Sequence, residues 1–169
     1  MAEKRLRVRV GVIVVEEGKV LLARQHVSQG QDFWVLPGGG LKKAEGLLDC
    51  ARREIAEETG LEIEPVRLLY AGDFFKGEKH VVDTFWLARV VGGELKRRAE
   101  EIDSLQFFEA ERLAELDMRP RAIGELLSRG LQEGFGSETV YLGKYFRDTD
   151  VAVAANDEPS RKQEPSGAG

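Results

Sequence analysis

Cysteine is nearly absent from this chain: Cys50 stands alone among 169 residues. One thiol can form neither an internal disulfide nor a thiolate zinc cluster. No apolar run approaches the roughly 18 residues needed to span a bilayer. The opening stretch, Met1 to Arg9, is charged and lacks the apolar core of a secretory signal. Positive charge is in the minority, with 25 basic against 30 acidic side chains, a net charge of −5 and a pI near 5.3. That balance argues against non-specific binding to nucleic acid. No internal repeat is visible. What is present is an apolar fraction of 42% with 13 aromatics, enough to exclude global disorder. The expectation is a soluble, cytoplasmic, single-domain protein over residues 1–147, with a small, polar and disordered tail over 148–169.

Hydrophobic periodicity orders the chain. Val8 to Val15 is β-branched and reads as a buried strand, with Lys19 to Gln25 as its hairpin partner across Glu16-Glu17-Gly18. Phe33 to Leu36 is a short apolar run ended by Pro37 and the loop glycines Gly38 to Gly40. From Ala44 to Thr59 the period becomes helical, with Ala44, Leu48, Ala51 and Ile55 as one apolar stripe and Gly60 as the C-terminal cap. Leu61 to Phe75 has strand character interrupted by Pro65. Val81 to Val91 is a further strand, which Gly92-Gly93 is expected to turn into another over Glu94 to Arg98. Leu105 to Phe108 reads as strand, Glu109 to Glu115 and Pro120 to Leu131 as helices, and Val140 to Leu142 as only a weak apolar patch.

The chemistry is concentrated in GGGLKKAEGLLDCARREIAEETGL, residues 38–61. Helical geometry places Glu54, Glu57 and Glu58 within a sector of about 100°. Three like charges on one face repel by some tenths of a kcal/mol per exposed pair, and a hard divalent cation such as Mg²⁺ or Mn²⁺ relieves that repulsion. Glu45 adds a fourth acid at the helix start, where the dipole favours it. Arg53 lies four residues before Glu57 and can fix that carboxylate. Lys42 and Lys43 flank the glycine loop and can meet phosphate oxygens. Glu-rich amphipathic helices without metal are common, so the three glutamates alone do not decide the matter.

The whole pattern does. Gly39, five residues, Glu45, seven residues, then Arg53-Glu54-Ile55-Ala56-Glu57-Glu58-Thr59-Gly60-Leu61 resembles the Nudix box at every fixed position. Such a match arises by chance roughly once in 10⁶ to 10⁷ windows at ordinary residue frequencies. The preceding Trp34-Val35-Leu36-Pro37-Gly38-Gly39-Gly40 is similar to the same family, and the resemblance extends loosely over residues 7–131. It implies an α/β/α sandwich on a mixed β-sheet and hydrolysis of a diphosphate linkage in a nucleoside diphosphate derivative. It implies metal ligation by Glu54, Glu57, Glu58 and the Gly39 carbonyl, orientation by Arg53, and support from Glu45. The family's base is either in the box, as Glu54, or on a later loop, where Glu100 and Glu101 stand; Glu101 is the better placed, and a solvated charged loop is the plain alternative. Arg24 fits the family's phosphate-facing arginine. His80 can contact substrate, although an exposed histidine serves no such role by default.

The alternatives are a catalytically silent nucleotide-binding Nudix domain, which the intact box disfavours, and an isoprenoid diphosphate isomerase, for which no further cysteine is available. The proline of many ADP-ribose hydrolases, about 15 residues past the box, is replaced in this region by Lys76, and the tyrosine of dinucleoside polyphosphate hydrolases is lacking. The expected substrate is therefore a nucleoside triphosphate or a nucleotide sugar. The expected partner is this small nucleotide, with neither nucleic acid nor membrane, and with a homodimer anticipated only because many relatives dimerise.

Overall fold

Alternation along the first strand sets the architecture. The computed structural model describes residues 6–26 and 32–146. The strand β1 (Leu6–Glu16) places Val10, Val12 and Val14 on one face and Ile13 on the other, all fully buried. A strand with both faces buried needs a layer on each side. Those layers are α1 (Leu47–Thr59) on the valine side and α2 (Ala110–Leu113) with α3 (Arg121–Glu133) on the Ile13 side.

The remaining strands are β2 (Lys19–Gln25), β3 (Phe33–Val35), β4 (Gly38–Gly40), β5 (Leu61–Lys76), β6 (Lys79–Gly93), β7 (Ile102–Phe108) and β8 (Val140–Phe146). They form one mixed sheet in the order β3-β2-β1-β6-β5-β8, with β4 paired to β1 and β7 to β2. β1 and β6 run parallel from Leu6↔His80 to Val14↔Ala88, and β5 returns antiparallel to β6. The expected α/β/α sandwich on a mixed sheet is the observed fold. No helix among the described residues is long and apolar enough to cross a membrane.

Several local expectations differ from the structure. The box helix starts at Leu47, because Ala44 adopts a left-handed φ of 63° and Gly46 is the extended N-cap. The apolar stripe is accordingly Leu47, Cys50, Ala51 and Ile55, while Leu48 is exposed. Gly38 to Gly40 is a short strand on β1 rather than a free loop. Gly38 has φ +141°, and a Cβ there would lie 2.0 Å from the Val10 carbonyl, so only glycine allows this approach. Pro65 does not end β5: the ladder to β6 shifts register between Pro65 and Arg67, which removes the need for its missing N–H.

Residues 94–98 form no strand. Their N–H groups instead reach the end of α1, with Glu94 donating to Gly60 O (3.3 Å), Lys96 to Thr59 O (2.7 Å) and Arg98 to Glu58 O (3.1 Å). They thereby satisfy carbonyls that the helix C-terminus leaves without partners. β8, expected only as an apolar patch, runs parallel to β5 from Tyr70↔Val140 to Phe75↔Phe146. The tail over 148–169 lies outside the described residues.

Candidate active site

The helix α1 meets the glycine strand β4 edge-on, and the glutamates converge there. A Cβ on Gly39 would fall 2.4 Å from the Glu54 carboxylate, so that carboxylate lies directly over the Gly39 backbone. The Gly38 N–H donates to Glu58 Oε2 at 2.9 Å. The Cys50 thiol approaches the Gly39 carbonyl at 3.9 Å. Burial pushes the Cys50 pKa up to about 11, so the group remains a thiol and packs rather than reacts.

Arg53 ties the outer carboxylates together. Its Nε and Nη2 donate to Glu45 at 2.6 and 2.9 Å, a bidentate pair, and its Nη1 donates to Glu54 at 2.7 Å and to Glu57 at 3.1 Å. Nη2 also reaches the Gly40 carbonyl at 3.3 Å. Lys42 N–H donates to Glu45 Oε2 at 2.9 Å. These donors hold Glu45 at a pKa of about 2, led by Arg53, and the carboxylates raise the Arg53 pKa in turn. Glu45 lies just before the helix rather than in its first turn, and it acts on the site through Arg53.

Glu58 is the opposite case. It is 8% exposed, and desolvation is the main reason its pKa rises to about 7, with the charges of Glu54 and Glu101 adding to the rise. The Gly38 N–H and the positive charge of Arg9 oppose the shift without cancelling it. Arg9 is a residue that sequence reasoning missed. It projects from β1, donates to the Leu36 carbonyl at 3.0 Å and stands near Glu58. The signal was there as an arginine directly before the buried run Val10 to Val14.

The other expected residues are spread around this cluster. Glu101, exposed just before β7, is close enough to act on Glu58 electrostatically. Lys42 Nζ is 3.8 Å from Glu57, whereas Lys43 is exposed in the adjoining turn. Arg24 lies in β2 between Trp34 and Ser104, with its Nε 3.8 Å from Asp32. His80 pairs with Asp73 at 2.5 Å and stacks on Phe75, so the structure ties it to the β5–β6 hairpin and not to the glutamates. Trp34 packs edge-on against Phe108 and belongs to the core.

Ionising buried Glu58 beside Glu54 puts two negative charges in a poorly solvated place, which is costly without a cation. Carboxylates with a backbone carbonyl alongside are the donor set of a hard divalent ion. The residues present therefore fit a hard divalent cation.

Comparison with known proteins agrees with this geometry. The NUDIX domain family model matches residues 5–128. The zebrafish (Danio rerio) 8-oxo-dGDP phosphatase NUDT18 is 33% identical over 122 residues, which cover 72% of this chain and 37% of that protein. An ADP-ribose pyrophosphatase of Methanocaldococcus jannaschii is 29% identical over 111 residues, covering 64% of this chain and 65% of its own length. The chain thus spans only about a third of the NUDT18 relative and less than two thirds of the archaeal one. Among solved structures, a NUDIX hydrolase from Nitrosomonas europaea superposes with a TM-score of 0.69 at 24% identity, covering 83% of this chain and 79% of that one, a likeness of fold. With a family match over most of its length, the complete box and the same fold, this chain belongs to the Nudix family.

Proposed function

We propose that this chain is a metal-dependent pyrophosphohydrolase that cleaves a diphosphate linkage in a nucleoside diphosphate derivative. The observation that carries the reading is that Glu54 and Glu58 meet the Gly38-Gly39 backbone while one arginine, Arg53, binds both Glu54 and Glu57. Glu54, Glu57, Glu58 and the Gly39 carbonyl would hold the ion. When bound, Mg²⁺ or Mn²⁺ supplies charge neutralisation on the phosphate oxygens and makes water more acidic.

The chain's own groups do the rest. Arg53 keeps Glu54 and Glu57 in place and is itself fixed by Glu45. Glu101 or Glu54 takes the proton from the attacking water as its oxygen bonds to phosphorus and the bridging P–O bond breaks. Arg24 and Lys43 meet phosphate oxygens, with Arg9 a further cation near the cluster. The intact acid set favours this reading over a silent nucleotide-binding domain.

A nucleoside triphosphate or a nucleotide sugar remains the favoured substrate, and the small nucleotide the expected partner. Relatives named 8-oxo-dGDP phosphatase, ADP-ribose pyrophosphatase and RNA pyrophosphohydrolase define what the test must include. Nucleoside triphosphates, 8-oxo-dGDP, ADP-ribose, UDP-sugars and a 5′-triphosphate RNA would be assayed with Mg²⁺ or Mn²⁺ and again with a chelator, and the products identified. Turnover of a small nucleotide that stops on chelation is expected. Turnover unaffected by complete chelation would reject the metal-centred mechanism, and no turnover of any compound would favour the binding domain.

A further inference from the structure

Three metal-ligating side chains meet away from the glutamates of α1, at one end of the β3-β2-β7 ladder. His26 directly follows β2, Asp32 directly precedes β3, and Asp103 is the second residue of β7. Strand register brings them together. Gln25 pairs with both Phe33 and Ile102, so the next residues outward, His26 and Asp32, face each other. The β2–β7 ladder slips between Arg24 and Gln25, and Asp103 stands at that slip.

The distances decide what the cluster can do. His26 Nδ1 is 3.0 Å from Asp32 Oδ1 and 3.7 Å from Asp103 Oδ2, and the three donor atoms all lie within 4.8 Å of one another. Nitrogen and oxygen ligands about 2.1 Å from a tetrahedral ion stand about 3.4 Å apart. The two separations straddle that value. An ordinary His–Asp hydrogen bond accounts for the first distance. The second, at 3.7 Å, is beyond hydrogen-bond range and brings a second carboxylate to the same ring nitrogen.

Charge points the same way. The two carboxylates contribute −2, and Arg24, with its Nε 3.8 Å from Asp32 Oδ2, returns +1. Arg24 thus stands beside one Asp32 oxygen while the other faces His26, an outer support of the kind ligating carboxylates have. The His26 side chain is 64% exposed, which leaves room for solvent ligands.

We propose that His26, Asp32 and Asp103 form a second divalent-metal site, distinct from the glutamate cluster and selective for a transition ion of the Zn²⁺ or Co²⁺ kind. The imidazole sets the selectivity, since Mg²⁺ prefers all-oxygen ligands and borderline ions accept nitrogen. Binding needs a bare Nδ1, with the ring proton on Nε2, so a proton shared between His26 and Asp32 passes to solvent as the metal enters. The bound ion ties three adjacent strands together two residues from Glu101.

The chain has two histidines in all, which gives a direct readout. The full chain, labelled with isotopic histidine, would be titrated with Zn²⁺ in a large excess of Mg²⁺ and followed by NMR. The His26 Nδ1 resonance should move and saturate at one equivalent while His80 stays in place. Asp32→Asn and Asp103→Asn should each weaken binding by about tenfold or more. By equilibrium dialysis, His26→Gln should bind one equivalent of Zn²⁺ fewer than the unaltered chain. A His26 ring that does not respond through one equivalent overturns the proposal. So does an unchanged midpoint in both Asn variants, which would mean that a lone exposed imidazole takes the metal by itself.

Discussion

Glu45 and Glu58 belong to the same 24-residue segment, yet their environments make them chemical opposites. Glu45 shares a bidentate arginine and a backbone donor, and it stays ionised down to a pKa of about 2. Glu58, buried against β4 with its main donor a single N–H, holds its proton up to about 7. The difference teaches that the cluster has two halves. One half, the bidentate Arg53–Glu45 pair, is neutralised from within and is complete as it stands. The other, around Glu58, has been desolvated without a full counter-charge, which a divalent cation would supply.

The largest break comes from removing a proposed ligand. Glu57→Gln removes one carboxylate of the acidic cluster from an exposed helix position, so folding should be kept. If ligation contributes roughly 4 kcal/mol to the transition state, kcat falls about 10³-fold. Steady-state kinetics with circular dichroism would check it, and a near-normal rate would show the site to be elsewhere.

Breaking the internally neutralised half comes next. Arg53→Met leaves Glu45, Glu54 and Glu57 without their common partner. The expected loss is about 3 kcal/mol of stability together with most of the activity. A double-mutant cycle with Glu45→Gln measures the coupling, and additive effects would contradict the shared-arginine arrangement.

Gly39→Ala acts on the joint between the halves. Its Cβ would meet the Glu54 carboxylate at 2.4 Å, the end of a flexible side chain that can swing away. Stability should change little, whereas displacement of a ligand by about 1 Å costs about 10²-fold in kcat. Equal losses in melting temperature and rate would point instead to a backbone role.

The smallest effect is on pH dependence in the presence of a chelator. Glu58 has a folded pKa of about 7, above its usual 4.5, so the folded protein binds more protons than the unfolded chain between those values. Stability of the metal-free protein therefore falls as pH rises through that window, by at most about 1.4 kcal/mol per unit, or roughly 3 °C in Tm for each kcal/mol. Glu45 has the reverse sign. Its depressed pKa gives stability present above 4.5 and lost as pH falls towards 2. Added Mg²⁺ should remove the neutral-side loss and release a proton. Thermal melts at several pH values, with and without metal, would show whether the two slopes are opposed.

Legibility followed the same division. The box letters, the helix they specify and the bond from Arg53 to Glu57 were readable, because helical spacing is local. The sandwich followed from the family resemblance, with which the order of strands and helices is compatible. The helix start was misplaced by three residues because Ala44 takes a left-handed turn that alanine rarely adopts. β8 was missed because its single apolar patch reads as strand only once β5 is beside it. Residues 94–98 read as a strand because nothing in their composition says that their N–H groups serve the carbonyls ending α1. Arg9 and the meeting of His26, Asp32 and Asp103 were not seen at all, since each depends on which strands lie side by side.

The sequence by itself determined the family, the acid set and the arginine that orders it, because these lie within 23 consecutive residues whose spacing a helix converts directly into geometry. Tertiary structure alone decided which glutamate would be buried. Only when Gly38 pairs with β1 does a backbone N–H stand under the end of α1, and only there does Glu58 lose its water. Burial is a property of the packed layers and not of the letters, and it is what raises Glu58 to a pKa of about 7.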